Sequence, residues 1–440
     1  MATNFVINPR LDLFKQAPIN FSNKGYTISS YDPIYAVVPE NPITFVVNGD
    51  SQYMNLSESL LRFKIKVVQN NGDPLTEAMN GHIALSNFAF ASVFKSVKVK
   101  INGYDITPRS DMYAYKAYIE QLFSSSPNSV HKDSLVGWDS NAGHAQDDVT
   151  AANPAFGRRA AKCNESRLQE LVGLPFVDLF KCPRNILPGV KLEITLYPNP
   201  HAFVIQHDDT PQVTNNFFQY RLSDVQLFLR KEEVTPDTHM VIAERLEKIP
   251  AIYYYPTSSI KQHHIVTGSY QFRADDLFQN RTPVKLLATF VHTEAFAGNY
   301  IRDPFWFSPT ENIESIEFFK NGVKLGHQRP IQIDLKVNNS DTYLHYIDLL
   351  NTSAWAEQET EGLNFSPESM RLGNFFVGVD CTPDGADATP HRYPVSPGNI
   401  SVYVKFKAAL AHDLDFLIYA VFDETLSINK HSQVSTSVVM

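Results

Sequence analysis

The sequence predicts an all-β chain folded as two antiparallel eight-stranded jelly rolls, with short helices and long surface loops. Three observations carry this reading. The first is a repeated hairpin: residues 96–106 (SVKVKINGYDI) recur without a gap as residues 315–325 (SIEFFKNGVKL). Each copy is an apolar strand-like run broken by Asn-Gly, the residue pair best suited to a type I′ turn. The turn residues are Asn102 and Gly103, then Asn321 and Gly322, 322 − 103 = 219 positions apart in a chain of 440. The second is composition. The chain has 30 Phe and 20 Tyr, which pack well across strands, and 27 Pro, which suit many strand-to-strand connections. The third is order: a hairpin, an aromatic turn or helix, a long polar loop and a Pro-Gly strand come one after another in each half. Sparse helix and short strands of this kind describe jelly rolls.

Taken in order, residues 1–40 carry Pro9, Pro18, Pro33 and Pro39 with little periodicity and read as an N-terminal arm. The first jelly roll spans 41–232. Residues 43–47 (ITFVV) are its first strand, and residues 60–68 (LLRFKIKVV) alternate apolar and basic, the mark of a strand with one wet face. Asn48-Gly49 is another turn pair, but its flanks do not repeat. Tyr115, Tyr118, Ile119 and Leu122 sit at i, i+3, i+4 and i+7, which predicts a short helix over 112–123. Residues 124–160 have no period and read as a large surface loop. Structure resumes over 168–180 and at 188–197 (PGVKLEITLY), and 225–229 closes the half. A charged linker, 233–250, comes next, with a helix over 238–247.

The second jelly roll spans 251–430. Its strands are expected at 251–255, 264–272 and 284–291, then at the second hairpin. Residues 343–350 (YLHYIDLL) take the place of the first half's Tyr-rich helix, and Tyr346-Ile-Asp348 answers Tyr118-Ile-Glu120. A second long polar region, 351–397, matches the first. Residues 397–406 (PGNISVYVKF) answer 188–197 at an offset of 398 − 189 = 209. Residues 417–421 close the domain, leaving 431–440 as a tail.

Charge narrows the function. A net charge of −9 argues against nucleic-acid binding as the main task, because affinity for phosphates comes from clustered Lys and Arg. The densest basic patch, Arg158-Arg159 with Lys162, reads as a solvated loop. Three widely spaced cysteines (Cys163, Cys182, Cys381) give no disulfide framework and no CxxC metal pattern. The first residues lack a basic and then apolar leader, so no signal peptide is expected. The longest apolar run, residues 414–422, is nine residues and holds Asp415, well short of the roughly 20 of a membrane helix.

No catalytic, cofactor or metal constellation stands out. His263 and His264 are strand neighbours and point to opposite faces, so they cannot share one ion from a regular strand. His292 and Glu294 would share a face, but two ligands are too few for zinc. The pairs Asp147-Asp148, Asp208-Asp209 and Asp275-Asp276 could suggest calcium, yet paired Asp usually mark solvated turns. Residues 304–307 (PFWF) offer a ligand platform or, more simply, packing beneath the second barrel. No phosphate loop, nucleophile elbow or Cys/His pair is present.

Several segments resemble the double jelly-roll major capsid proteins of the Polinton/Maverick and adintovirus group. They are residues 113–122 (YAYKAYIEQL), 171–180 (LVGLPFVDLF) and 185–194 (NILPGVKLEI), then 295–305 (AFAGNYIRDPF) and 419–428 (YAVFDETLSI). The resemblance runs from about residue 40 to 430 and departs mainly in the two long loops. It implies a coat protein of an icosahedral virion. Three chains would form a homotrimer whose six barrels give a nearly hexagonal capsomer. Neighbouring capsomers, penton and minor capsid proteins would be its partners. It implies no enzyme activity, no cofactor, no sequence-specific contact with nucleic acid and no membrane span. A double jelly-roll enzyme and a lectin-like binding module are the alternatives. The first would need a metal or a concave acidic site, and the second would usually be secreted.

Overall fold

The structure is a computed structural model. It describes residues 20–108, 110–125, 129–139, 145, 147–150, 152–214, 216–308, 312–335, 342–352, 365–383 and 397–436. Strands of the first half are β1 (Asn23–Tyr31), β2 (Ile43–Val47), β3 (Tyr53–Gln69), β4 (Ile83–Leu85), β5 (Phe94–Ile101), β6 (Tyr104–Asp105), β7 (Gln169–Gly173), β8 (Leu192–Pro198), β9 (Ile205–His207) and β10 (Phe218–Val234). They form two antiparallel four-stranded sheets, β1-β10-β3-β7 and β2-β8-β5-β6, with a small ribbon of β4 and β9. The sheets face each other through residues such as Phe63 on β3 and Phe94 on β5, whose rings lie 5.6 Å apart. Along β3 from Leu61 to Val67, buried and half-exposed residues alternate, as expected for one face in the core and one toward water.

The second half holds β11 (Ala251–Ile265), β12 (Gln271–Ala274), β13 (Lys285–His292), β14 (Ile313–Lys320), β15 (Val323–Lys324), β16 (Val377–Asp380), β17 (Ile400–Phe406), β18 (Leu414–Ile428) and β19 (Val434–Thr436). One sheet runs β11-β18-β13-β16 with β19 beside β18, and the other runs β12-β17-β14-β15. Phe290 on β13 meets Phe406 on β17, and Phe416 on β18 meets Phe272 on β12, closing this core in the same way. Both halves are antiparallel jelly rolls, so the fold is a double jelly roll.

The repeat is geometric as well as textual. Asn102 and Gly103 have φ of 51° and 81°, and Asn321 and Gly322 have 52° and 80°. Both turns thus have the positive φ at two successive positions that type I′ requires. The strand before each turn also breaks register at equivalent points: between Phe94 and Ser96 where β5 pairs β8, and between Ile313 and Ser315 where β14 pairs β17. A bulge repeated 219 positions later is a shared structural device, since bulges re-aim and twist a strand.

Helices occupy the connections: α1 (Ala89–Ser92), α2 (Tyr113–Ser124), α3 (Val130–Leu135), α4 (Pro154–Cys163), α5 (His201–Val204), α6 (Pro236–Leu246), α7 (Thr293–Ala297), α8 (Thr342–Thr352) and α9 (Pro367–Arg371). The helices expected over 112–123 and 238–247 correspond to α2 and α6.

Four expectations need correction. Residues 23–31, read as part of a separate arm, pair with β10 as the edge strand of the first barrel; residues 1–19 lie outside the described set. Residues 434–436, read as tail, pair with β18. The strand expected over 264–272 is two strands, because Gly268 at φ 80° turns the chain between β11 and β12. The described part of the 124–160 loop contains α3 and α4. Asn153 caps α4 by accepting from the Ala155 N–H, and Pro154 opens the helix. Ala155, Phe156, Arg159, Ala160 and Cys163 then form its buried face.

Candidate functional site

Two regions organise the molecule: the paired hairpin tips and the seam between the barrels. At the first tip, the Asn102 side chain accepts from the Lys191 N–H at 2.8 Å, and the Asn102 N–H donates to the Lys191 carbonyl at 2.9 Å. At the second tip, Asn321 does the same with Asn399, at 2.8 Å and 2.9 Å. Lys191 and Asn399 both lie just after the Pro-Gly landmarks. The asparagine therefore satisfies local backbone groups while tolerating the left-handed turn. One difference separates the tips. The Asn102 side-chain amide also donates to the Ser432 carbonyl at 2.7 Å, joining the first barrel to the end of the second.

Helix α2 lines the seam. Its helical spacing points Tyr115 and Tyr118 at residues of the second half. Tyr118 stacks on Phe305 at 4.1 Å, and Tyr115 stacks on Phe296 at 5.4 Å. Phe305 and Phe307, two of the 304–307 aromatics, are fully buried. They pack against the first half's helix, at the seam between the barrels. Burial drives the Tyr115 hydroxyl far above its ordinary pKa, aided by Asp415 and Asp303.

Charged groups also cross the seam. Lys116 pairs with Asp178 at 2.7 Å, and Asp178 accepts from the Ser258 N–H and hydroxyl at 2.9 Å and 3.0 Å. Glu120 pairs with Lys181 at 2.8 Å and accepts from the Tyr419 hydroxyl at 3.1 Å. Burial pulls the Lys181 pKa down, but Glu120 and Asp178 outweigh it and hold it above the ordinary value. Farther along, Asp147 pairs with Arg302 at 2.6 Å and accepts from the Asp303 N–H at 2.8 Å. Asp303 is fully buried. Burial raises its pKa to about 6, against the lowering pull of Arg159.

The other sequence candidates fall to structural roles. Arg159 is buried, with its guanidinium donating to the Leu85 carbonyl at 3.1 Å, and Arg158 pairs with Asp139. The reading of this patch as a solvated loop is thus corrected for Arg159. His292 ends β13 and Glu294 is the second residue of α7, so the alternation that would put them on one face stops between them. His292 instead stacks on Trp306 at 4.5 Å. Burial lowers its pKa to about 4, with His412 and Arg302 adding to the effect. His264 lies 3.2 Å from Asp415, and His263 packs by Phe272. Asp208 pairs with His82 at 2.7 Å, and Asp275 accepts from Arg273 at 3.1 Å. Among the described residues no group of three or more His, Cys, Asp or Glu could hold a metal ion. No described helix is long and apolar enough to cross a membrane. A cavity of about 420 Å³ opens under β14 and α8, lined by both signs of charge, including Glu317, Lys324, His327 and Asp348.

No protein-family model matches the chain. An uncharacterised protein of Caenorhabditis elegans is 25% identical over 407 residues, covering 89% of this chain and 92% of that protein. Among solved structures, a chain of the Sputnik virophage, determined by cryo-EM, matches with a TM-score of 0.66 and 14% identity. It covers 100% of this chain and 93% of its own. The Faustovirus major capsid protein matches at 0.57 and 10%, covering 95% and 92%. The mavirus major capsid protein matches at 0.53 and 12%, covering 100% and 96%. The whole chain, both barrels included, therefore shares its fold with these viral proteins.

Proposed function

We propose that this chain is a major capsid protein that trimerises into pseudo-hexameric capsomers of an icosahedral shell. The observation that carries the reading is end-to-end likeness. The chain and the capsid proteins of Faustovirus and mavirus cover one another almost completely, with neither barrel left over. A building block needs rigid frames and distinct faces more than a reactive site, and the seam ties the two frames together.

The surfaces support the same reading. Residues 41–232 carry 19 Lys and Arg against 19 Asp and Glu, a net of 0; residues 251–430 carry 14 against 21, a net of −7. Two second barrels side by side would repel, whereas alternation of neutral and acidic barrels avoids that cost. A ring in which each chain supplies one of each is the arrangement this asymmetry favours. Closed threefold symmetry then sets six barrels in one ring.

The same proposal takes in the virion as the protein's location and a non-enzymatic role. Its partners would be neighbouring capsomers with penton and minor capsid proteins. A source among Polinton/Maverick and adintovirus elements rests on the motif resemblance. Electron microscopy of the purified protein tests the main point. Roughly hexagonal particles with threefold averages are expected, and uniform two-lobed monomers at high concentration would refute it.

A further inference from the structure

The tie between Asn102 and Ser432 has a counterpart that a single chain leaves open. Ser432 lies four residues after β18 ends at Ile428, in a turn held to the linker by the Lys430–Glu247 pair at 2.7 Å. The first barrel's hairpin thus rests on the turn beyond the last long strand of the second barrel. By the internal repeat, the last long strand of the first barrel is β10, which ends at Val234. The fourth residue beyond it is Thr238, inside α6.

Where barrels alternate around a ring, the second barrel of one copy meets the first barrel of the next as the two meet within a chain. We propose that the second hairpin of one copy, Asn321–Lys324, seats on the linker helix α6 of a neighbouring copy. This rests on the capsomer reading above. Both surfaces are poised for it. Helix α6 buries none of its residues, and Met240 and Val241 are 61% and 50% exposed. Val323, at the hairpin tip, is 69% exposed. Apolar side chains this open on two ordered elements fit the centre of a contact. The charges are complementary. Residues 320–329 carry Lys320, Lys324 and Arg329 with no acidic residue, although Lys324 pairs with Glu317 at 3.4 Å. Residues 237–244 of α6 carry Asp237 and Glu244 with no Lys or Arg, and the flanking Glu233 and Glu247 pair within the chain, with Lys24 and Lys430. The Asn321 side-chain amide is the group whose equivalent in Asn102 donates to Ser432.

Cross-linking the full chain tests this. Cys163, Cys182 and Cys381 are buried, so a short bis-maleimide reports added surface thiols. Val323→Cys and Met240→Cys single variants, co-expressed, are expected to give a product of twice the chain mass that neither gives alone. The double variant is expected to give covalent trimers. Val323→Asp should raise the concentration at which the oligomer dissociates by tenfold or more and leave the melting of the barrels unchanged. A trimer that forms without the cross-link, or a double variant that links only within one chain, overturns the inference while the capsomer reading stands. Absence of any oligomer overturns the capsomer reading itself. A cross-link seen only after residues 1–19 are removed would assign α6 to the chain's own arm and overturn the inference as well.

Discussion

Tyr118 lies nearly flat on Phe305 across the seam, with ring centroids 4.1 Å apart and planes 12° from parallel. One ring belongs to a helix of the first barrel and the other to a connection of the second, so this pair clamps two domains. Phe305→Ala should cost about 3–5 kcal/mol, the range for deleting a fully buried aromatic ring. Urea unfolding would show it, and the loss should separate the two barrels' transitions. A cost below about 1 kcal/mol would mean that the seam is not held there.

The asparagine turns should behave as a matched pair. Asn321→Ala removes an acceptor for the Asn399 N–H and puts a Cβ-bearing residue without local compensation at φ 52°. The expected cost is about 2 kcal/mol, a hydrogen bond plus left-handed strain. Asn102→Ala should cost at least as much, because it also loses the Ser432 tie. Thermal melts of the two variants check the ordering.

Gly49 comes against the Pro-Gly landmark of the first half. A Cβ built there would sit 2.2 Å from the Gly189 carbonyl carbon, a backbone atom that cannot swing away. Gly49→Ala should therefore destabilise by about 1–3 kcal/mol or more through overpacking, measured by the same melts.

Two buried groups should give opposite pH slopes. His292 has its folded pKa lowered to about 4, below the ordinary 6.5. The stability linked to its neutral form is full above about pH 6.5 and is lost as pH falls toward 4. His292→Asn should remove that acid sensitivity. Asp303 has its folded pKa raised to about 6 from 3.8. Its linked stability is present below about pH 3.8 and lost as pH rises through 6. Relative to the parent, Asp303→Asn should gain roughly 3 kcal/mol between about pH 4 and pH 7.5. Unfolding curves at the two pH values measure both differences.

Legibility in the sequence tracks the range of the interactions. The hairpins were legible because the Asn-Gly requirement is set by the turn itself. Helix α2 was legible because Tyr115, Tyr118, Ile119 and Leu122 mark one helical face. Strands β1 and β19 were not, because their partners lie in distant or separately read segments and β1 is almost wholly exposed. Helix α4 was hidden by composition, since Ala155, Arg159 and Ala160 make up most of its buried face beside Phe156 and Cys163 and give it little apolar signal. The seam pairs were out of reach for the same reason of distance: Asp147 and Arg302 are 155 positions apart. His292 misled because β13 and its alternation end at His292 itself, two residues before Glu294.

One chain filling two places in a closed ring of six barrels requires a stable homotrimer. The most direct measurement is the mass of the purified 440-residue chain in solution by sedimentation equilibrium. A homotrimer predicts about 149 kDa, three times 49.7 kDa, persisting on dilution. A single species at 49.7 kDa across the concentration range would contradict it.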